Sequence, residues 1–172
     1  VAARPAAADV ATLRIVVPVS GSNIRCCTHA PTGVGPGQTL FTDDFKTLDP
    51  SAWAPPDEYS YVQNGRYELH ASAKEAVNRF SNKYTVTDVD FQADVVADPE
   101  TRINAIAGLS FWADGTGDVE TIFEIDPIDG SFAVGSQAAG KWTDIATWRS
   151  TPLINLGAGK TNRMEVVAGH SK

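Results

Sequence analysis

The dipeptide Asn64-Gly65 stands between two runs in which apolar and polar residues alternate. Tyr59–Gln63 precedes it and Arg66–Ser72 follows it. Asn and Gly both tolerate a positive φ, so this dipeptide between alternating runs predicts a two-residue β-hairpin. A chain that reverses in this way pairs its strands antiparallel, and the sequence therefore favours a β fold at this point.

Similar short runs follow one another along the chain and are separated by Gly, Pro and Asx turn signals. No stretch keeps apolar residues at helical spacing over three turns. Many short strands at regular spacing predict an all-β fold of two antiparallel sheets in a sandwich. The other runs are Leu13–Val19, Thr39–Asp43, Tyr84–Val96, Asn104–Ala113, Val119–Asp126, Ser131–Ser136, Lys141–Trp148 and Arg163–Ala168.

The chain divides into two unequal parts. Residues 1–38 hold one strand-like run followed by a segment dense in Gly, Pro, Ser and Asn, which we interpret as an extended arm or linker. Residues 39–172 are expected to form the sandwich. The adjacent Cys26 and Cys27 have three interpretations that stay open: a vicinal disulfide, an intermolecular bridge, or two free thiols.

The net charge and the distribution of apolar residues argue against some classes of function, and the first residues indicate a cellular location. The 14 basic and 21 acidic side chains leave a formal net charge of −7, which argues against binding to nucleic-acid phosphates or anionic membranes. The sequence contains no run of about 18 apolar residues, the length that would predict a membrane span. The chain begins at Val1 with small, Ala-rich residues. We interpret this as a processed or trimmed N-terminus, and we expect an exported protein in the periplasm or outside the cell.

A series of motifs carries a resemblance to a known family. The series resembles the concanavalin A-like jelly rolls of secreted bacterial proteins, in particular the superfamily of 3-keto-disaccharide hydrolase and laminin-G-like domains, over about residues 39–170. The motifs are Asp43-Asp44-Phe45, Trp53, Val62–Leu69, Gly108–Phe111, Phe123–Gly130, Gly140-Lys141-Trp142, Trp148 and Gly159–Val166.

The resemblance implies a jelly-roll sandwich, a glycoside-cleaving activity, and a structural calcium near Asp43 and Asp44. Such domains continue with further strands beyond the one that matches Arg163–Ala168. Here the sequence ends at Lys172, so we expect either that the last strands are missing and leave an open sheet edge, or that another element completes the sheet. An open edge invites strand addition by a partner or by the N-terminal arm, and Leu13–Val19 is a candidate strand for it.

The acidic run after Phe123 has a catalytic and a structural interpretation. Laminarinase-type enzymes on this broad fold carry Glu-x-Asp-x-x-Glu, whereas this chain places Asp129 at the last position. Pro127–Gly130 has the residues of a turn, so the hairpin interpretation is favoured over the catalytic one. Glu120 and Glu124 lie four apart and share a strand face. They are the weak catalytic candidates, with a solvated, exposed face as the alternative.

One loop is a candidate metal site. Asp114 and Asp118 flank Gly115-Thr116-Gly117, and two carboxylates with carbonyls between them suit Ca²⁺. The favoured alternative is a polar loop without a cofactor, because Ca²⁺ requires six or more oxygen ligands.

Four aromatic residues are the candidate ligand-binding set: Tyr59, Tyr61, Trp112 and Trp142. Sugar rings stack on aromatic planes, and their hydroxyls need planar polar partners, so we expect these residues on a concave sheet. The alternative is burial in the core, where we expect Phe45, Phe91, Phe111, Phe123 and Phe132.

The expected function is a non-catalytic recognition module outside the cytoplasm. It binds carbohydrate on the concave sheet, or it docks to a larger protein assembly through the arm and the open edge. The alternatives are a glycoside hydrolase of the 3-keto-disaccharide hydrolase type and a purely structural subunit of an envelope complex.

Overall fold

The regular structure of this protein is β-strand throughout the residues that the computed structural model describes, which are 11–16, 41–71, 79, 89–98, 105–113 and 118–168. The strands pair antiparallel in two sheets, so the predicted all-β antiparallel architecture is confirmed. These same residues contain no helix that is long and apolar enough to span a membrane.

Nine strands lie within the described ranges. In chain order they are β1 (Ala11–Val16), β2 (Ser60–Gln63), β3 (Arg66–Ala71), β4 (Val89–Ala97), β5 (Ala107–Phe111), β6 (Val119–Asp126), β7 (Ser131–Ala138), β8 (Lys141–Ser150) and β9 (Thr161–Ala168). One sheet has the order β2-β3-β1-β4-β9, and the other has the order β5-β6-β7-β8.

The strand near the N-terminus lies inside the five-stranded sheet. β1 pairs antiparallel with β3 on one side and with β4 on the other, and Leu13 lies opposite both Leu69 and Ala97. The strand-like run expected from Leu13 onward thus contributes to the middle of the sheet and not to its edge. The rest of the expected arm, with Cys26 and Cys27, lies outside the described residues.

The core fills the space between the two sheets in a β-sandwich-like arrangement. Each fully buried aliphatic or aromatic side chain stabilises the fold by about 1.5–3 kcal/mol. The expected interior phenylalanines take part: Phe45 is fully buried, and Phe91, Phe111, Phe123 and Phe132 are partly buried against the core. The buried core residues are Phe45, Tyr67, Leu69, Ala93, Val95, Ala107, Leu109, Ile125, Met164 and Val166.

Asp43 fixes the irregular segment that brings Phe45 into the core. Its Oδ1 accepts a hydrogen bond from the Phe45 N–H at 2.8 Å, and its Oδ2 accepts one from the Trp53 indole at 2.8 Å. Phe45 adopts a φ of 49° and stacks on Tyr67. The described part of the expected Thr39–Asp43 strand, residues 41–43, is therefore not a strand but belongs to this irregular segment.

The hairpin predicted at Asn64-Gly65 is confirmed. The two residues have φ values of 54° and 68° and connect β2 to β3. Both values lie in the left-handed region, which Asn and Gly adopt at lower cost than other residues.

The turn predicted at Pro127–Gly130 is also confirmed, and it separates β6 from β7. Asp129 is exposed in the turn, and its Oδ1 accepts a hydrogen bond from the Ser131 N–H at 2.9 Å. Gly130 has a φ of 74°. Turn chemistry thus accounts for the position of Asp129.

Candidate functional site

A row of polar and aromatic side chains crosses the outer face of the four-stranded sheet, which is the face directed away from the core. Glu120 on β6 lies opposite Gln137 on β7, which lies opposite Trp142 on β8. Residues directly opposite on antiparallel strands share a face. Ser110 on β5 joins them, because its Oγ donates a 2.6 Å hydrogen bond to Glu120 Oε2. We call Ser110, Glu120, Gln137 and Trp142 the polar row.

Two tight turns bring these residues into register. The β6–β7 turn sets Asp126 opposite Ser131, and the same register places Glu120 opposite Gln137. The β7–β8 turn consists of Ala139 and Gly140, with φ values of 48° and 71°. Because hairpin register follows from the turn, these turns determine which side chains meet across three strands.

The indole of Trp142 lies above β7 in the space that a side chain at position 135 would need. A Cβ built on Gly135 would lie 2.0 Å from the nearest ring carbon. The indole Nε1 donates a 2.7 Å hydrogen bond to Asp144 Oδ1. Trp142 is half-buried. Gly135 and Asp144 thus hold an aromatic ring over the middle of the outer face.

Glu120 and Glu124 lie on this same outer face and are buried, with exposures of 2% and 7%. This burial does not fit the alternative of a solvated, exposed face. A buried carboxylate is costly unless hydrogen bonds compensate for lost hydration, and Ser110 supplies one such bond to Glu120.

The two carboxylates lean toward the same neighbouring strand. Four residues along a strand separate α-carbons by about 13 Å. Glu120 reaches Ser110, whereas the Glu124 side chain passes Gly108, where a Cβ would lie 3.3 Å from its Cγ. Both glutamates therefore extend over β5, at positions two residues apart on that strand.

Asp126 is a third buried carboxylate on the outer face, at the end of β6. Burial raises the pKa of Asp126, and the nearby Asp129 charge acts in the same direction. Its Oδ1 accepts a 2.8 Å hydrogen bond from the Ile128 N–H, which starts the turn. Asp126 therefore has a structural role and carries a charge that its surroundings disfavour.

Tyr59 and Tyr61 lie elsewhere, on the side of the five-stranded sheet. Tyr61 lies opposite Glu68 on the outer face of that sheet, and its ring stacks on His70 with centroids 5.0 Å apart. The Tyr59 carbonyl accepts a hydrogen bond from the His70 N–H, and the Tyr59 side chain is exposed. The core separates this pair from the polar row.

Trp112 follows β5 and departs from the strand alternation. Its φ of 50° lies in the left-handed region, and its ring contacts that of Phe111, with centroids 5.3 Å apart. The structure therefore does not bring the four predicted aromatic residues together. Among them, Trp142 belongs to the polar row, Trp112 lies at a strand end, and the two tyrosines lie on the other sheet.

The predicted calcium loop is described only at its end. Asp114 lies outside the described residues, and Asp118 is exposed beside the first residue of β6. Across the described ranges, no three His, Cys, Asp or Glu side chains are close enough together to hold a metal ion.

Four residues of this site were not predicted from the sequence: Ser110, Gly135, Gln137 and Asp144. The turn at Pro127–Gly130 was recognised, and counting back from it pairs Glu120 with Gln137. The Ala139-Gly140 turn gives a weaker signal, because Ala seldom adopts a positive φ. That second turn was needed to place Trp142 beside Gln137.

Comparison with known proteins identifies no relative: the chain matches no protein-family model, no curated protein and no solved structure.

Proposed function

We propose that this protein is a carbohydrate-binding module whose ligand lies on the outer face of the four-stranded sheet. The observation that carries the proposal is the Trp142 ring held over Gly135 beside Gln137 and Glu120. Carbohydrate sites combine an apolar surface for the sugar's C–H face with a few placed polar groups for its hydroxyls.

The polar row supplies both kinds of hydrogen-bonding partner. The Gln137 amide can both donate and accept, and the hydrogen-bonded pair Ser110 and Glu120 lies beside it. Asp144 holds the indole by its N–H, which orients the ring before a ligand arrives. A pre-oriented ring loses little conformational entropy on binding, and this favours affinity.

We also propose a concanavalin A-like jelly-roll topology and a location in the periplasm or outside the cell. The motif series from Asp43 to Val166, which resembles domains of secreted bacterial proteins, supports these two proposals. Two stacked antiparallel sheets are compatible with a jelly roll.

A glycan array, followed by calorimetry with the best ligand, tests the binding proposal. The Trp142→Ala variant is expected to bind at least about 30-fold more weakly, a loss of about 2 kcal/mol. Trp112→Ala is the matched control, because it removes an exposed Trp outside the polar row. Equal affinity of wild type and Trp142→Ala would reject the proposed site.

A glycoside hydrolase is the second candidate function, and the buried pair Glu120 and Glu124 favours it. Inverting glycosidases use two carboxyl groups, one of which protonates the leaving group while the other activates water. In that scheme the water attacks the anomeric carbon, and the glycosidic oxygen leaves with the proton.

Reducing-sugar release distinguishes the two functions. Hydrolysis that is abolished in both Glu120→Gln and Glu124→Gln, but not in the exposed control Glu58→Gln, would establish the enzyme. Binding without sugar release in the wild type would establish the module, because the polar row then acts only in recognition.

A further inference from the structure

The last strand of the five-stranded sheet presents an edge whose charges complement a second copy of the same strand. Within the described part of the chain, β9 ends the sheet and has β4 as its neighbour. Its outward-facing side chains are exposed, to 76% for Val167. A strand edge of this kind offers backbone N–H and C=O groups to another strand.

Two residues of opposite charge lie on the exposed face of β9. Arg163 forms a forked ion pair with Asp94 on β4, with N–O distances of 2.8 and 2.9 Å. Two residues further on, Glu165 accepts a 3.0 Å hydrogen bond from the Gln92 amide. The face therefore carries a positive and a negative side chain in fixed positions, two residues apart.

We propose that two copies of this chain form a homodimer by antiparallel pairing of β9 with β9, centred on Met164. In this register Met164 lies opposite the partner's Met164, Arg163 lies opposite the partner's Glu165, and Glu165 lies opposite the partner's Arg163. A two-fold axis perpendicular to the sheet generates both ion pairs at once. The two five-stranded sheets join into one continuous sheet.

Charge selects this register over its neighbours. If the strand pair were centred on Arg163, Arg163 would lie opposite the partner's Arg163. If it were centred on Glu165, Glu165 would lie opposite the partner's Glu165. Directly opposed like charges destabilise a strand pair, whereas opposite charges stabilise it. Asp94 and Gln92 extend each ion pair into a row of four polar side chains across the joined sheets.

The pairing has a defined limit at the beginning of β9. The Asn155 side-chain amide donates a 2.8 Å hydrogen bond to the Thr161 carbonyl, which occupies that group. We therefore place the paired segment at Asn162–Val166. This surface lies on the sheet opposite the polar row, so dimerisation does not depend on the proposed carbohydrate site.

Sedimentation velocity of the full chain over a concentration series tests the dimer. The wild type is expected to pass from monomer to dimer with concentration. Arg163→Glu and Glu165→Arg are each expected to stay monomeric, because each opposes like charges twice. Mixing the two variants restores dimers, since one chain is then acidic at both positions and the other chain is basic at both.

The control variant is Glu58→Arg, which makes the same charge change on an exposed loop and is expected to dimerise as the wild type does. Far-UV circular dichroism checks folding. If Arg163→Glu fails to fold because Asp94 loses its partner, the oligomeric state of Glu165→Arg alone tests the proposal. A wild type that stays monomeric at all concentrations, or a Glu165→Arg variant that still dimerises, overturns the proposal.

Discussion

Gly135 is the residue on which the proposed carbohydrate surface depends most. The absence of a side chain there leaves room for the Trp142 ring over β7. Any Cβ at this position competes directly with the ring, so a single methyl group can test whether the ring position matters.

Gly135→Ala is expected to displace the indole and to lower carbohydrate affinity at least about tenfold, together with a loss of about 1–3 kcal/mol of stability from overpacking. Calorimetry measures the affinity, and urea unfolding measures the stability. Ser136→Ala is the control, because it changes the neighbouring residue on the other face of β7. Unchanged binding by Gly135→Ala would contradict the assigned role of the ring.

Asp126 provides a test of buried charge. Burial raises the pKa of Asp126 above 3.8. At a pH between 3.8 and the raised pKa, the side chain is therefore protonated in the folded state and ionised in the unfolded state. Stability therefore falls as the pH rises from 3.8 through the raised pKa, and the penalty is complete above that value. Asn keeps the oxygen that accepts the Ile128 N–H hydrogen bond but removes the charge.

Asp126→Asn is therefore expected to be more stable than the wild type at neutral pH and equal to it below about pH 3.8. Thermal unfolding across a pH series measures the difference. Glu58→Gln, which alters an exposed carboxylate, should show no such trend. A difference between Asp126→Asn and wild type that grows toward low pH would have the wrong sign and would refute this explanation.

At the scale of elements, the segment around Asp43 shows how one side chain can position an irregular stretch. Asp43→Ala leaves the Phe45 N–H and the Trp53 indole N–H without their acceptor, at a cost of about 2–5 kcal/mol. Asp44→Ala is the matched control. Its ion pair with Lys46 is exposed to solvent, and screening makes such a pair contribute little to stability. Urea unfolding distinguishes them, and equal losses would contradict the account.

The sequence predicted the strands and two of the turns because their signals are local. Asn64-Gly65 and Pro127–Gly130 contain residues whose backbone preferences match the turns they form. The predicted run Val119–Asp126 coincides with β6. These elements follow from alternation and turn chemistry alone.

The site was less predictable because it depends on register and on departures from alternation. Strict strand alternation would place Ser110 and Trp112 on one face, yet Trp112 has a left-handed backbone and its ring contacts Phe111. Tyr61 and Trp142 were grouped by residue type, whereas sheet order places them on opposite sides of the core. Strand order across two sheets is a tertiary property that local patterns do not encode.

At the scale of the whole molecule, charge predicts which polysaccharides bind. The chain carries a net charge of −7, and Glu120, Glu124, Asp126 and Asp144 lie on the proposed binding face. Uronic-acid polymers are therefore repelled, and the effect is greatest at low ionic strength. Neutral polysaccharides are expected to bind with little dependence on salt. A uronic-acid polymer that binds best at low salt would contradict this prediction.

Titration with an oligosaccharide, followed by amide and indole NMR shifts, tests most directly whether the outer face of the four-stranded sheet binds carbohydrate. We predict the largest shifts at the Trp142 indole N–H and at Gln137 and Glu120, with Tyr61 and His70 on the other sheet unchanged. Shifts centred on Tyr61 and His70, or no shift at Trp142 when the oligosaccharide is bound, would contradict the account.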